Sequence, residues 1–170
     1  DSVKPFSFKE AKEIIEKEYG IPISEIFLNI EEKPHASASI AQVHFAKLRS
    51  NKQMVIVKVQ RPNIEKEVHQ DINILYHLAH LIEKYLPESK VYNPTGIVEE
   101  FSKAIKKELD FTYEISNADK FREIFKNSKN VYIPAVFFEY SSKRVLVMEY
   151  IEGIKITEYK NVKNLDRKLL

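Results

Sequence analysis

Residues 54–62 of the chain read Met-Val-Ile-Val-Lys-Val-Gln-Arg-Pro, an apolar strand with a lysine near its middle. An alternation of period two places three valines on one face and Ile56 with Lys58 on the other. An unpaired ammonium loses its hydration when it is buried, so a lysine in such a strand needs either water or a partner. Two interpretations stay open at this point. Lys58 lies in water on an edge strand, or it faces a cleft and meets a carboxylate or a phosphate.

Elements with clear signals surround this strand. Residues 40–48 predict a second strand, and a turn of polar residues joins the two strands into a hairpin. A capping box at residues 7–10 opens an amphipathic helix that stops at Gly20. Apolar residues at three- and four-residue steps predict a helix over residues 64–86, and residues 136–151 predict a second hairpin. The predicted fold class is therefore α+β.

A long helix predicted over residues 97–125 supplies candidate carboxylates. Glu108 falls inside the apolar stripe of this helix, Glu114 lies at the edge of the stripe, and Asp110 sits one turn before Glu114. A carboxylate within an apolar stripe needs a cation or a hydrogen-bond donor, because burial otherwise raises its pKa. The alternatives are that the helix bends at this point or that Glu108 reaches water at a domain edge.

The loop before the hairpin is rich in small residues. Residues 36–43, Ala-Ser-Ala-Ser-Ile-Ala-Gln-Val, have the spacing G-x-G-x-x-G-x-V with alanine at all three glycine positions. Small residues let the backbone approach a ligand closely, and backbone amides can hold phosphate oxygens. Alanine lacks the freedom of glycine at positive φ, so this loop should be stiff. Because Lys58 follows on the next strand, the pattern matches the nucleotide cradle of a kinase.

The composition limits the function classes. The chain has 170 residues, 27 Lys and Arg against 25 Asp and Glu, and a formal net charge of +2. A charge this close to neutral, with few arginines, argues against a nucleic-acid binder. The absence of cysteine excludes disulfides, thiol catalysis and Cys-based zinc sites. His69, His77 and His80 share one helix without a further ligand type beside them, so we predict no metal site.

Four motifs together resemble those of the UbiB/ADCK atypical kinase-like family. They are PHASASIAQVH at 34–44, VKVQRP at 57–62, ELDF at 108–111 with Glu114, and VLVMEY at 145–150. The resemblance covers nearly the whole chain. It implies the N-lobe of a protein-kinase-like fold, with an antiparallel sheet and family-specific extra helices. It also implies binding of ATP or ADP with Mg²⁺ and a role in ubiquinone (coenzyme Q) biosynthesis at a membrane.

The resemblance assigns roles to individual residues. Lys58 would bind the nucleotide, with Glu114 as its partner on an αC-type helix. Glu108 and Asp110 would form the ExD motif of the family, and Met148 would sit as the gatekeeper. The other implied nucleotide-binding positions are Ala36, Ser37, Ala38 and Ser39 in the alanine-rich loop, Val43 after it, and the backbone of Glu149 and Ile151 at the adenine edge.

The same resemblance divides the chain into three parts. Residues 1–33 would form an N-terminal helical extension with a first strand region. Residues 34–154 would form the N-lobe, with a helical insert at 63–86 and the αC-type helix at 97–125. Residues 155–170 would be a linker or the start of a truncated C-lobe. The family's KxGQ motif, catalytic-loop Asp and DFG Asp are not in this sequence. We therefore expect that the C-lobe is absent and that these residues alone are inactive.

The leading interpretation is the nucleotide-binding lobe of an atypical kinase or ATPase that supports ubiquinone or related isoprenoid lipid biosynthesis. The alternative is a nonenzymatic, pseudokinase-like module that senses nucleotide or lipid. The expected partners are a nucleotide and, in the full-length protein, an isoprenoid lipid or a membrane surface, with no nucleic acid. Exposed apolar surface on a single lobe favours a homodimer. The expected location is cytoplasmic, with membrane association of the full-length protein.

Ile56 stands where the family has alanine, and its larger side chain should crowd the adenine.

Overall fold

The computed structural model describes residues 3–154, which form one antiparallel sheet with helices on both faces. The predicted linker or C-lobe start at 155–170 lies outside the described residues. The helices are α1 (Phe8–Tyr19), α2 (Ile23–Ile26), α3 (Ile64–Tyr85), α4 (Pro94–Glu108) and α5 (Phe111–Phe125). The strands are β1 (Phe27–Ile30), β2 (Ala36–Ser37), β3 (Ala41–Leu48), β4 (Met54–Gln60) and β5 (Val145–Glu149). No helix of the described part has both the length and the apolar character needed to cross a bilayer.

The strand order places the lysine-bearing strand inside the sheet. The strands run β1–β3–β4–β5, and the short β2 also pairs with β3. Because β4 has β3 on one side and β5 on the other, the edge-strand interpretation of residues 54–60 is wrong. The predicted α+β class with an antiparallel sheet is confirmed, and so is the hairpin of β3 with β4.

One face of β4 builds the main core. Val55, Val57 and Val59 are fully buried and belong to the same apolar cluster as Ala11 and Ile15 of α1. The three valines therefore share one face, as the period-two alternation predicts, and this face is the buried one. Burial of each such side chain stabilises the fold by about 1.5–3 kcal/mol before entropy is counted.

The opposite face of the sheet is covered by α5. Phe111 and Ile115 are buried in a second apolar cluster with Ala41 of β3 and Leu146 of β5. Lys58 points to this face, in register with Leu146. The helix that carries Glu114 is therefore packed directly over the strand that carries the lysine.

The single helix predicted over residues 97–125 is wrong, because two helices occupy this stretch. α4 ends at Glu108 and α5 begins after Asp110, whose carboxylate caps the new helix by accepting the N–H of Thr112 at 3.0 Å. The carbonyl of Leu109 accepts a hydrogen bond from the side chain of Gln60, at 2.6 Å, instead of continuing a helix. Glu108 is exposed, so its predicted place in an apolar stripe is also wrong. Of the alternatives that the sequence left open, the chain bends at this point and Glu108 also reaches water.

The second hairpin, predicted over residues 136–151, is present only in part. Residues 145–149 form β5, but the segment before it makes a single bridge, Val136 to Met148, and then a 3-10 turn at Phe138–Tyr140. The hydroxyl of Ser141 accepts the N–H of Val147 at 3.0 Å. The side chain of Ser141 thus replaces a backbone acceptor for Val147 of β5, and the first strand of the hairpin ends early.

Candidate functional site

The lysine of β4 is paired with a carboxylate of α5. Lys58 Nζ lies 2.6 Å from Oε2 of Glu114 and 4.7 Å from the centroid of the Phe111 ring. The side chain of Lys58 is 25% exposed and that of Glu114 is 43% exposed. The lysine therefore lies at the wall of a cleft, with a carboxylate partner and an aromatic face, and still reaches solvent. Of the carboxylates proposed from the sequence, Glu114 is the one that the lysine contacts.

The alanine-rich loop is a tight hairpin beside the lysine. Ala36 pairs with Val43, and Val43 in turn pairs with Lys58 across β3 and β4. The N–H of Ala38 donates to the carbonyl of Ala41 at 2.8 Å and closes the turn. No residue of the loop has a positive φ, which explains why alanine can replace glycine here without strain.

The tip of this turn offers two backbone donors. The N–H groups of Ser39 and Ile40 have no hydrogen-bond partner within residues 3–154. Ser39 is exposed, and Ile40 lines the same cavity as Lys58. Free N–H groups at a turn are a common way to hold a phosphate oxygen. Ile40 at the loop tip and Lys58 therefore line one cavity, and each carries a hydrogen-bond donor.

This cavity, which we call the lysine cavity, has a volume of about 590 Å³. Its lining combines both signs of charge with a few apolar groups: Ile40, Lys58, Ala104, Lys107, Glu108, Asp110, Tyr113, Glu114 and Asn117. The structure thus brings the two predicted ExD residues to the same cavity as the lysine and its partner. Glu108 and Asp110 form no ion pair within the described part of the chain. Nor do residues 3–154 gather three side chains that could hold a metal ion on their own.

The residues predicted for the adenine edge lie along β5, outside the lining of the lysine cavity. Met148 is in register with Ile56, two positions from Lys58 along β4. Glu149 turns its carboxylate away to accept the hydroxyl of Tyr132, at 2.8 and 2.9 Å, and this hydrogen bond raises the pKa of Tyr132. The exposed Ile151 follows the strand and makes no backbone hydrogen bond with other described residues.

A half-buried apolar surface connects the lysine to the adenine-edge positions. Val43, Phe45, Ile56 and Met148 share the face of the sheet that carries Lys58. Ile56 lies between Phe45 and Met148 in register, so it forms the middle of this surface. A planar apolar ring could pack on such a surface, although Ile56 fills more of it than alanine would.

Two residues that position the site were not singled out from the sequence alone. Gln60 is buried at the end of β4, donates to the carbonyl of Leu109 and accepts from Nε of Arg144 at 3.0 Å. It thereby fixes the junction between α4 and α5, where Asp110 lies. Arg61 contacts the alanine-rich loop through its guanidinium. The sequence signal that could have identified them is the polar pair Gln60–Arg61 at the end of an apolar strand, because polar side chains that become buried need hydrogen-bond partners.

Several comparisons connect this arrangement to known proteins. A family model described as the ABC1 atypical kinase-like domain matches residues 1–170. A protein of Marinobacter nauticus named "Probable protein kinase UbiB" is 46% identical over 158 residues, which are 93% of this chain and 29% of that protein. A protein of the same name from Vibrio cholerae is 41% identical over 158 residues, again 93% of this chain and 29% of that protein. One solved structure, "The complex structure of Rv3197-erythromycin from Mycobacterium tuberculosis", contains a chain with a similar fold. The match covers 91% of the present chain and 38% of that chain, with a TM-score of 0.77 and 25% identity.

Proposed function

The chain belongs to the ABC1 atypical kinase-like family, and from this premise we propose that the lysine cavity holds the phosphates of ATP or ADP. The observation that carries the proposal is the contact of Lys58 with Glu114 at the wall of a cavity that the loop tip also lines. The chain spans 29% of the length of the UbiB relatives, so the activity of the full-length protein is part of the proposal.

The charges around Lys58 suit a triphosphate. A lysine ammonium is a compact point charge that can approach the α- and β-phosphates, and Glu114 holds it in the cavity until they arrive. The face of Phe111 stabilises the ammonium by a cation–π contact at 4.7 Å. The free N–H groups of Ser39 and Ile40 add uncharged donors at the loop tip.

A bound magnesium ion would neutralise phosphate charge. Mg²⁺ binds proteins through one or two carboxylates together with substrate phosphates, and it keeps several waters. Glu108 and Asp110 supply carboxylates at the lysine cavity. One oxygen of Asp110 already accepts the N–H of Thr112, which caps α5. These two carboxylates are the number that such an ion takes from a protein, so the residues fit an ion that arrives with the nucleotide.

The adenine would lie on the apolar surface formed by Val43, Phe45, Ile56 and Met148. The backbone after Met148, at Glu149 and Ile151, would meet the polar edge of the ring. This part of the proposal is supported by the register of β5 with β4 and by the exposed position of Ile151. Ile56 favours the alternative of a weakly binding, pseudokinase-like module, because its side chain takes up room on this surface.

The test is nucleotide binding by the full-length protein and its Lys58→Ala variant. At a MgATP concentration about 100-fold above its dissociation constant, binding stabilises the native state by about 2.7 kcal/mol. We expect a thermal shift with MgATP in the wild type and none in Lys58→Ala. The matched control is Lys47→Ala, which removes an exposed lysine from β3, and it should keep the shift. Equal shifts in all three proteins would contradict the proposal.

Release of phosphate from MgATP separates the two functional classes. An atypical kinase or ATPase releases phosphate or transfers it to an acceptor, whereas a nonenzymatic module binds nucleotide without turnover. We propose the enzyme, because the family is kinase-like and the relatives are named as protein kinases. Binding that responds to Lys58→Ala, without any turnover in the full-length protein, would favour the module.

We further propose that the full-length protein supports ubiquinone or related isoprenoid lipid biosynthesis at the cytoplasmic side of a membrane. The support is the resemblance to the UbiB family and the run of exposed apolar side chains over residues 74–85 of α3, which are Ile74, Leu75, Leu78, Leu81, Ile82 and Tyr85. Such a surface suits a lipid surface or a second copy of the chain. Cosedimentation with phospholipid vesicles and the mass in solution distinguish these two partners. Loss of ubiquinone from cells that carry Lys58→Ala tests the pathway.

A further inference from the structure

The guanidinium of Arg61 is inserted between the alanine-rich loop and the N-terminal segment. Nε donates to the carbonyl of Ser39 at 3.1 Å, and one terminal nitrogen donates to the carbonyl of Ala38 at 3.0 Å and to the hydroxyl of Ser37 at 3.2 Å. Both terminal nitrogens lie 3.3 Å from the carbonyl of Lys4. These contacts occupy acceptors on three consecutive residues of the loop.

The other side of the guanidinium is also held. Its carbon lies 5.4 Å from the centroid of the Phe6 ring, in a cation–π contact. The backbone N–H of Phe6 donates to the side chain of Gln42 at 3.2 Å, which fixes the N-terminal segment to β3. The backbone N–H of Arg61 donates to the carbonyl of Ile40 at 2.8 Å. Arg61 is thus fixed from both sides and contacts the loop with its backbone and its side chain.

These contacts decide which way the peptide groups of the loop point. The carbonyls of Ala38, Ser39 and Ile40 are all directed at Arg61. The N–H groups of Ser39 and Ile40 are the ones left without a partner among the described residues. A planar guanidinium with five donors can hold several carbonyls at once, whereas a lysine ammonium on its flexible stem cannot reproduce this fork.

We infer that Arg61 is a positioning residue for nucleotide binding, which locks the alanine-rich loop so that its free N–H groups are ready for phosphate oxygens. The inference rests on the proposed function of the lysine cavity. A loop that is held in its binding conformation loses less entropy when the ligand arrives. Arg61 is not among the residues that line the lysine cavity, so it acts through the loop.

The test compares Arg61→Lys with Arg49→Lys in the full-length protein. Both variants keep the charge and remove one guanidinium. Arg49 is a matched control, since its Nε donates only to the carbonyl of Ser24, at 2.8 Å, in a contact that does not involve the loop. We expect Arg61→Lys to weaken MgATP binding by about tenfold or more, because hydrogen bonds from a charged donor are lost. Adenosine, which has no phosphate, should bind to both variants within about twofold of the wild type.

Hydrogen exchange supplies an independent measure of the loop. The amides of residues 36–41 should exchange faster in Arg61→Lys than in Arg49→Lys, with unchanged exchange in the valines of β4. Equal MgATP affinities of the two arginine variants, or equal losses for MgATP and adenosine in Arg61→Lys, would overturn the inference. If Arg61→Lys does not fold, Phe6→Leu removes the aromatic contact of the guanidinium at a position not assigned to the nucleotide, and an unchanged MgATP affinity in that variant would overturn the inference.

The outcome for the wild type separates this inference from the proposed function. If the wild-type protein binds MgATP no more tightly than adenosine, the lysine cavity does not hold phosphates and both proposals fall. If MgATP binding is strong and is lost in Lys58→Ala but intact in Arg61→Lys, only the inference about Arg61 falls. Weaker MgATP binding with normal adenosine binding in Arg61→Lys supports both.

Discussion

The side chain of Gln60 offers the sharpest test of how the site is held together. We consider its replacement by methionine, which has a similar volume and leaves no large cavity. Gln60 is 1% exposed, and both polar atoms of its side chain have partners. Methionine can neither donate to the carbonyl of Leu109 nor accept from Arg144. The change therefore leaves two partners without their hydrogen bonds at the junction of α4 and α5.

The expected cost follows from these two partners. The carbonyl belongs to the buried Leu109, and an unsatisfied buried acceptor costs about 1–3 kcal/mol. Arg144 is half-buried and can turn toward water, so its lost bond adds about 1 kcal/mol. The total is about 2–4 kcal/mol, which corresponds to roughly 30- to 800-fold more frequent opening of the junction.

Hydrogen exchange at the start of α5 measures this opening in the full-length protein. The amide of Phe111 donates to the carbonyl of Lys143 and that of Thr112 to the carboxylate of Asp110, so both report directly on the junction. The control is Gln53→Met in the turn before β4. This variant removes a single contact to Asn51 at the surface and should change exchange by less than threefold or so. Similar exchange of these amides in Gln60→Met and Gln53→Met would refute the claim that Gln60 fixes the junction.

Two further predictions concern pH and the adenine surface. Burial lowers the pKa of His44 below its ordinary value of 6.5, so the unfolded chain takes up the proton first as the pH falls. The contribution of His44 to stability is complete above about pH 6.5 and is lost as the pH falls below that value. The thermal midpoint should therefore drop less between about pH 7.5 and 5.5 in His44→Gln than in the control His35→Gln, which changes an exposed histidine. Equal drops in the two variants would contradict this prediction. Ile56→Ala should bind adenosine more tightly, because it clears the surface between Phe45 and Met148, while it lowers stability by about 1–2 kcal/mol as a half-buried truncation. Calorimetric titration and urea denaturation measure the two effects, and weaker adenosine binding would count against the proposed adenine surface.

Local signals in the sequence predicted most elements of the fold. The capping box at the start of α1 is present, with the hydroxyl of Ser7 accepting the N–H of Glu10 and the Glu10 carboxylate accepting that of Ser7. The hairpin of β3 with β4 and the long helix α3 also agree with prediction. These elements depend on periodicity, caps and turns within a few residues, which a sequence displays directly.

The residues predicted for the candidate site separate into two groups. Lys58, Glu108, Asp110 and Glu114 line one cavity, which the tip of the alanine-rich loop also reaches at Ile40. Met148, Glu149 and Ile151 lie along and beyond β5, and their assignment to the adenine remains a proposal from the resemblance. The strand pattern left the partner of Lys58 open, because it shows which face a side chain takes but not what covers that face; the resemblance named Glu114.

The sequence by itself determined the alternation of β4, which sends its valines into the core and its lysine to the other face. The tertiary structure decided that Glu114, 56 residues further along the chain and named as a partner only by the resemblance, meets that lysine. It also decided the place where the predicted long helix breaks, since the local cap by Asp110 is joined there by a hydrogen bond to Leu109 from Gln60, 49 residues earlier. Hydrogen bonds between such distant residues depend on how the helices pack on the sheet, and local propensity carries no record of that packing.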